Sequence, residues 1–354
     1  LEIFFMSNLS TRSTLHRRLC NFIDWMRPDP VKRESDCEQA DNVRNNVKQN
    51  AEADGLTVKS TPAGGSDEKN TGLRRHYLGQ SEVDGYDIDI PIVIKPDDAD
   101  GKAFEELLQK FETYVRKSYP NSVIKLTNSS VELTFSNELR FDVVPMLATD
   151  KSDEQVILRK DGNKIRTSVQ KHNEFIKKRT RLSLEQAGRV SFNDCVRAMK
   201  WWREFQADKS YYLSYDEDTG KDNRPPSALI DWLAAHAFDN IGVEKTYAET
   251  FAKWFGFLAN VVRNKKSIYF TDYYTTPSLV GKTGWIVLDP VNADNNITGK
   301  WDNNKLTEFT SWFEEARDSW NRIVRYDEDG DDNLALNELV KLFGNPFKHH
   351  CEEK

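Results

Sequence analysis

Tyr86-Asp87-Ile88-Asp89-Ile90-Pro91-Ile92-Val93-Ile94 is the stretch on which the fold turns. Carboxylates alternate with isoleucines, the period-2 pattern of a half-buried strand, so Asp87 and Asp89 share one face while Ile88, Ile90, Ile92 and Ile94 share the other. Residues two apart on a strand are separated by roughly 6–7 Å, close enough to reach one metal cluster. Downstream, Val131-Glu-Leu-Thr-Phe135 and Leu139-Arg-Phe-Asp142-Val-Val144 read as two more alternating strands, joined by a hairpin turn at Ser136-Asn137. With Phe141 and Val143 turned to the core, Asp142 becomes a third carboxylate on a neighbouring strand. A D-x-D on an exposed strand face is ordinary solvated surface. Here each Asp interrupts an apolar run, where a carboxylate without a partner is costly.

Three such groups suit a hard divalent cation. Magnesium takes oxygen ligands and shares itself between carboxylates and substrate phosphates, and two ions about 3.5–4 Å apart stabilise both the attacking and the leaving oxygen of an in-line displacement. Asp87, Asp89 and Asp142 are therefore the candidate catalytic and metal-binding residues, with two Mg2+ ions as the expected cofactor and Mn2+ as the alternative. Gly65-Ser66 supplies a complementary part. Leu56 to Ser60 is a short strand candidate, and Gly64-Gly65-Ser66 sits where it would turn into a helix. A glycine lets backbone approach a phosphate, and turn N–H groups with a Ser hydroxyl favour the anion. Alone, the tripeptide is a loop; between a strand and an acidic strand it reads as a phosphate clamp.

Helices flank this centre. Leu15, Leu19, Phe22 and Met26 recur at helical spacing until Pro28 and Pro30, and Ala40, Val43, Val47 and Ala51 share a second helical face up to Gly55. Phe104 to Tyr114 is amphipathic, with Leu107, Leu108 and Phe111 inward. From about Lys171 the chain changes to long helices rich in Trp over 192–205, 227–238, 246–262 and 306–325. The expected division is residues 1–5 as a non-native leader before Met6, 6–35 as an N-terminal helix packing across both lobes, 36–170 as the α/β half and 171–354 as the helical half. A cleft between such halves is a common small-molecule site.

The 354 residues carry a net charge of -7, 30% charged and 38% hydrophobic residues, with nine Trp and nineteen Phe. That composition belongs to a folded globular chain and not to a basic nucleic-acid coat. Cys20, Cys37, Cys195 and Cys351 form no C-x-x-C pair, so neither a zinc ribbon nor a disulfide framework is expected; they read as reduced thiols of a cytoplasmic protein. No apolar run approaches the ~20 residues of a membrane span.

Gly65-Ser66, Asp87-Ile-Asp89 and Phe141-Asp142-Val-Val-Pro145 together resemble the G-S, D-x-D and D signature of polymerase-β-like nucleotidyltransferases. In the helical half, Val196-Arg-Ala-Met-Lys200-Trp-Trp, Pro225-Pro-Ser227-Ala-Leu-Ile-Asp-Trp-Leu and Trp285-Ile-Val-Leu-Asp289-Pro-Val-Asn292 look like segments of oligoadenylate synthase and its bacterial relatives. So are Ala53-Asp-Gly-Leu-Thr-Val-Lys-Ser-Thr-Pro62 and Lys341-Leu-Phe-Gly344 similar to that group. The chain is identified as a member of the cGAS/DncV-like nucleotidyltransferases (CD-NTases) of bacterial CBASS anti-phage systems. The resemblance implies an α+β fold: a polymerase-β-like nucleotidyltransferase core joined to an oligoadenylate-synthase-like helical domain, bilobal around a central cleft.

It implies that Asp87 and Asp89 bind both ions, that Asp142 holds the catalytic ion and orients the attacking hydroxyl, and that Gly65, Ser66, Lys200 and Ser227 contact the nucleotide. The residues permit other readings. Lys200 either neutralises phosphate or forms the solvated edge of a Trp-rich helix, and Ser227 is equally suited to cap the helix after Pro225-Pro226. By the same resemblance the substrates are nucleoside triphosphates, ATP among them and GTP an alternative. The product is a cyclic di- or trinucleotide second messenger that acts on a separate CBASS effector. Linear oligoadenylate synthesis or RNA-end nucleotidyl transfer uses the same site, and a nucleotide- or calcium-binding regulator without turnover is the non-enzymatic alternative.

Other signals read as structural. The run from Asp327 to Glu338 fits much of an EF-hand loop, but Asp332 stands where Gly is required, so it reads as an acidic connector. Nine Lys or Arg against two acids between Leu158 and Arg181 form a solvated helix face or a phosphate-attracting rim. With no zinc motif, activation by nucleic acid is not expected. His349-His350 beside Cys351 read as an exposed tail.

Overall fold

The computed structural model describes residues 13–78, 81–83, 85, 88–99, 104–137, 139–216 and 221–352. Its core-lobe strands are β1 (Val58–Ser60), β2 (His76–Leu78), β3 (Ser81–Val83), β4 (Ile88–Ile94), β5 (Val123–Leu126), β6 (Val131–Thr134), β7 (Arg140–Ala148), β8 (Gln155–Leu158) and β9 (Lys164–Thr167). Apart from the β2/β3 hairpin these make one sheet in the order β1-β4-β7-β6-β5, with β8 beside β7 and β9 beyond it. β4 and β7 are parallel and every other pairing is antiparallel. Thus β7 borders β4 along its length, while β6 and β8 share its other edge.

The helices are α1 (Thr14–Met26), α2 (Pro30–Ala53), α3 (Gly65–Glu68), α4 (Phe104–Ser118), α5 (Val169–Ala187), α6 (Phe192–Ala207), α7 (Ser227–Ile241), α8 (Tyr247–Arg263), α9 (Asn303–Glu328), α10 (Asp332–Phe343) and α11 (Asn345–His350). One face of the sheet is sealed by α2 and α4. Ala40, Val43, Val47 and Ala51 of α2, and Leu107, Leu108, Phe111 and Val115 of α4, join the β4 isoleucines, Phe141, Val143, Val131 and Leu133 in one buried cluster. Asp29 caps α2 by accepting from the Val31 and Lys32 N–H groups, and Pro30 needs no amide partner in that first turn. Pro30 therefore opens a helix, where the sequence placed it at the end of one.

The helical lobe has its own core, built by α1 and α5 to α11 around Trp202, Trp254 and Trp320. Two expected boundaries are corrected. Position 35/36 falls inside α2 and position 170/171 inside α5, because each helix is continuous across it. The N-terminal segment is two helices: α1 is embedded in the helical core, and α2 lies on the sheet. The C-terminal end is not a free tail. Phe347 is fully buried, His350 stacks on Trp25 at 4.0 Å, and Asn21 donates to the Cys351 carbonyl.

Candidate active site

Asp89 and Asp142 occupy paired positions on parallel β4 and β7. Paired Cα atoms on neighbouring strands are about 4.8 Å apart, so the two half-buried carboxylates emerge side by side from one face. That is the face opposite α2 and α4; farther along it Val93, Val144 and Met146 form a small cluster with Val169 of α5. The Ser130 hydroxyl donates to Asp142 Oδ1 at 2.7 Å. Ser130 is buried and is itself set by Thr127, whose Oγ1 accepts the Ser130 N–H at 2.9 Å. A hydroxyl that occupies one carboxylate lone pair helps to fix the rotamer. The pair is an all-oxygen donor set of the kind a hard divalent ion takes. Asp87 lies outside the described residues. Among the described residues no group of three His, Cys, Asp or Glu side chains gathers as a ligand set.

The 63–72 segment passes over this pair. A Cβ on Gly64 would sit 3.3 Å from Val169 Cγ1 and 3.5 Å from Asp89 Cβ, so the backbone rests directly against the acidic strand. Gly65 has φ +88°, which favours glycine, and Ser66 follows, buried in the first turn of α3. The two acids after Ser66 are neutralised from outside: Asp67 pairs with Arg33 of α2, and Glu68 with Lys177 of α5. The rest of the segment is held by its carbonyls. Asn173 donates to the Ala63 carbonyl at 3.0 Å, Arg197 Nη2 to that of Asn70 at 2.7 Å and Arg197 Nε to that of Gly72 at 2.8 Å. Arg197 is completely buried and pairs with Asp194, which also receives Arg27 at 2.8 Å and the Tyr247 hydroxyl at 3.2 Å. Burial, then the nearby Asp194 charge, pushes the Tyr247 hydroxyl far up, so it stays a proton donor.

Lys200 lies on α6, a helix buried on nearly every side, and is only 4% exposed. It is not a solvated edge. Its ammonium donates to Thr71 Oγ1 at 3.0 Å and meets Asp231 of α7 at 2.8 Å. Ser227 is the first helical residue of α7 and Pro226 holds the cap position, so Ser227 makes no cap. One turn before Asp231, it faces the same way. The structure thus brings Lys200 against the segment that carries Gly65 and Ser66 and borders Asp89, while Ser227 stands one turn before the Lys200 partner Asp231.

A Second Messenger Oligonucleotide or Dinucleotide Synthetase domain matches residues 14–180. The chain is 28% identical over 304 residues to the cyclic AMP-AMP-AMP synthase of Escherichia coli strain MS 115-1, covering 82% of this chain and 85% of that protein. Its fold matches E. coli MS115-1 CdnC in complex with HORMA-deltaN (TM-score 0.74, 24% identity, 96% of this chain and 99% of the other) and with ATP (TM-score 0.73, 24% identity, 94% and 98%). It also matches the Vibrio cholerae DncV cyclic AMP-GMP synthase, with TM-score 0.65, 12% identity, and 94% and 96% covered. The chain is similar over most of its length to cGAS/DncV-like nucleotidyltransferases, and the matched domain covers its first half. The curated relatives are named as oligonucleotide synthases or cyclases, that is, as nucleotidyltransferases.

The remaining signals find structural roles. Glu338, the twelfth place of the EF-hand-like run, is buried and bound to Arg322 and Lys341, while Asp331 and Asp332 begin α10. In the basic run Lys171, Lys177, Lys178 and Arg179 pair with Asp153, Glu68, Asp272 and Asp239. Arg74 donates to the Trp25 carbonyl and stacks on its ring, and His76 packs on Trp201. Asp289 braces the end of its motif. Burial alone would raise its carboxyl, but His172, the Val291 N–H and Asn295 outweigh that and hold it below the usual range. Cys20, Cys37, Cys195 and Cys351 are unpaired thiols. Among the described residues no helix is long and apolar enough to cross a membrane.

Ser130, Arg197 and Asp231 were not singled out in the sequence. A hydroxyl in the hairpin tip before Val131, an Arg set between Val196 and Ala198, and an Asp set between Ile230 and Trp232 are the signals that could have found them.

Proposed function

We propose that the protein builds a cyclic di- or trinucleotide from nucleoside triphosphates, ATP among them, as a second messenger in anti-phage defence. The observation that carries the reading is the registered Asp89/Asp142 pair lying against the Gly64-Gly65-Ser66 turn, with Lys200 bound to Thr71 of the same segment. Likeness to the oligonucleotide synthetase domain over residues 14–180 supports the cyclic product, as does the name of the 28% identical relative, a cyclic AMP-AMP-AMP synthase.

Asp89 and Asp142, with Asp87 as the third carboxylate, would hold two Mg2+ ions, for which Mn2+ can substitute. Bound there, the ions supply Lewis-acid polarisation of the reacting phosphate and stabilise the attacking and leaving oxygens. The chain's own residues do the rest. Ser130 keeps the Asp142 carboxylate in one rotamer. Ser66 and the turn N–H groups receive phosphate oxygens, Lys200 places a fixed positive charge beside them, and Ser227 offers a hydroxyl from α7. Chain growth repeats in this site until ring closure, and a separate effector responds to the product.

Purified protein incubated with Mg2+ and all four nucleoside triphosphates should yield phosphatase-resistant products with the masses of cyclic oligonucleotides. Products that lose a 5′ triphosphate to phosphatase would instead establish a linear oligoadenylate-type or RNA-end nucleotidyltransferase.

A further inference from the structure

The chain approaches the acidic strand through a crossing that only glycine can occupy. A Cβ on Gly85 would stand against the Arg74 carbonyl oxygen, with Leu73 Cβ at 2.6 Å and the Leu73 carbonyl carbon at 2.7 Å. Unbonded carbons settle at about 3.5–4.0 Å, so even a methyl needs about 1 Å of extra room there. The Leu73 N–H closes the crossing by donating to the Gly85 carbonyl at 2.8 Å. Between its two sides the chain makes the β2/β3 hairpin, in which His76 pairs with Val83.

The two sides are not equally free to move. Leu73 is buried in the core of the helical lobe. The Arg74 N–H donates to the Met26 carbonyl at 2.8 Å and its guanidinium to the Trp25 carbonyl at 2.9 Å, both at the end of α1, and Arg197 holds the Gly72 carbonyl. Gly85 stands three residues before Ile88, where β4 begins, and four before Asp89. Crowding at Gly85 therefore displaces the entry to β4 and not the 72–74 backbone. That backbone continues the segment that carries Ser66, so the crossing fixes where the acidic strand starts relative to the turn.

We propose that Gly85 is a positioning residue for the carboxylate centre: its bare backbone lets a segment rooted in the helical lobe set the place of the strand that carries Asp87 and Asp89. The inference rests on the metal-binding role given above to those residues and Asp142. Metal ligands must meet their ion to within about 0.2 Å, and misplacing a reacting group by about 1 Å can cost on the order of 10²-fold in rate. The Ser66 turn stays where it is, so metal uptake and turnover suffer while nucleotide affinity is kept.

Gly85→Ala in the full chain is read in two ways. Mn2+ titrated in without nucleotide and followed by electron paramagnetic resonance should bind about tenfold more weakly than to wild type. With ATP and Mg2+, kcat per folded molecule should fall about 100-fold while the KM for ATP stays within about threefold of wild type. A loss of stability alone lowers the melting temperature and moves neither. Gly55→Ala is the control: φ there is +88° and nothing lies within 4 Å of an added Cβ, so the strain meets no neighbour and Mn2+ should bind as to wild type. Should Gly85→Ala not fold, Arg74→Ala decides, because it cuts the Trp25 anchor and should weaken Mn2+ binding by a smaller factor, about threefold. Wild-type Mn2+ affinity in folded Gly85→Ala, or in Arg74→Ala where only that variant folds, overturns the proposal. If wild type binds Mn2+ but turns over no nucleoside triphosphate, the proposed function fails and the comparison of Mn2+ affinities still decides the role of Gly85. A wild type that binds no Mn2+ would refute the metal centre itself.

Discussion

The two faces of the central sheet are made by the same strands and do opposite work. On the back, Ile88, Ile90, Ile92 and Ile94 of β4 with Phe141 and Val143 of β7 disappear under α2 and α4. On the front, the residues between them are Asp89, Pro91 and Val93, and Asp142 and Val144, and this face is covered by a glycine turn at one end and a three-residue apolar cluster farther on. The back face stores stability in apolar area. The front face spends part of that stability to keep two carboxylates side by side. Parallel pairing of β4 with β7 links the two: the register that aligns the apolar residues on one side aligns Asp89 with Asp142 on the other.

Substitutions should separate the faces. The largest effect belongs to the front. Asp142→Asn or Asp89→Asn should reduce turnover by a factor on the order of 10³ or more, with a melting temperature at or near wild type. On the back, Phe111→Ala should cost about 3–5 kcal/mol of stability in denaturant unfolding, while the fraction that stays folded keeps its specific activity. Loss of turnover in a well-folded Phe111→Ala, or unfolding of both Asp variants, would erase the distinction.

Smaller changes sharpen it. Ser130→Ala removes the hydroxyl that holds Asp142 and should lower activity about 10–100-fold, with a weaker apparent affinity for Mg2+ in a metal titration. Gly64→Ala puts a methyl 3.3 Å from Val169 Cγ1. Overpacking of this kind costs about 1–3 kcal/mol, and Val169→Ala in the same chain should restore much of the lost activity by making room. The smallest effect lies away from both faces. Burial, and then Lys266, pushes His236 down to about 4. The unfolded imidazole takes up its proton near its usual 6.5 and the native one does not, so His236 draws stability down as pH falls from about 6.5 toward about 4. Unfolding curves for wild type and His236→Gln should converge at neutral pH and separate in that window.

Much of the front face was legible because its signal is local. Period-2 alternation places Asp89 and Asp142 on strands, and a strand-to-helix turn marks Gly65-Ser66. What escaped was long-range. Nothing near Asp231 in the chain shows that Lys69 and Lys200 meet on it, or that Asp67 and Glu68 are neutralised by Arg33 and Lys177. Lys200 was ambiguous because α6 is buried almost all round: a helix without a polar face gives no amphipathic cue to say which way a single lysine points. Pro30 misled in the boundary because proline closes one helix and opens the next with equal ease. His350 was taken for tail because its partner, Trp25, lies at the other end of the chain.

The central claim is that the aligned carboxylates of the front face are the metal centre at which nucleotides are joined. Its most direct test is electron paramagnetic resonance of Mn2+ titrated into the full chain with a non-hydrolysable ATP analogue. Wild type should take up two ions, and Asp142→Asn and Asp89→Asn should each lose at least one. Uptake in both variants equal to wild type would contradict the claim.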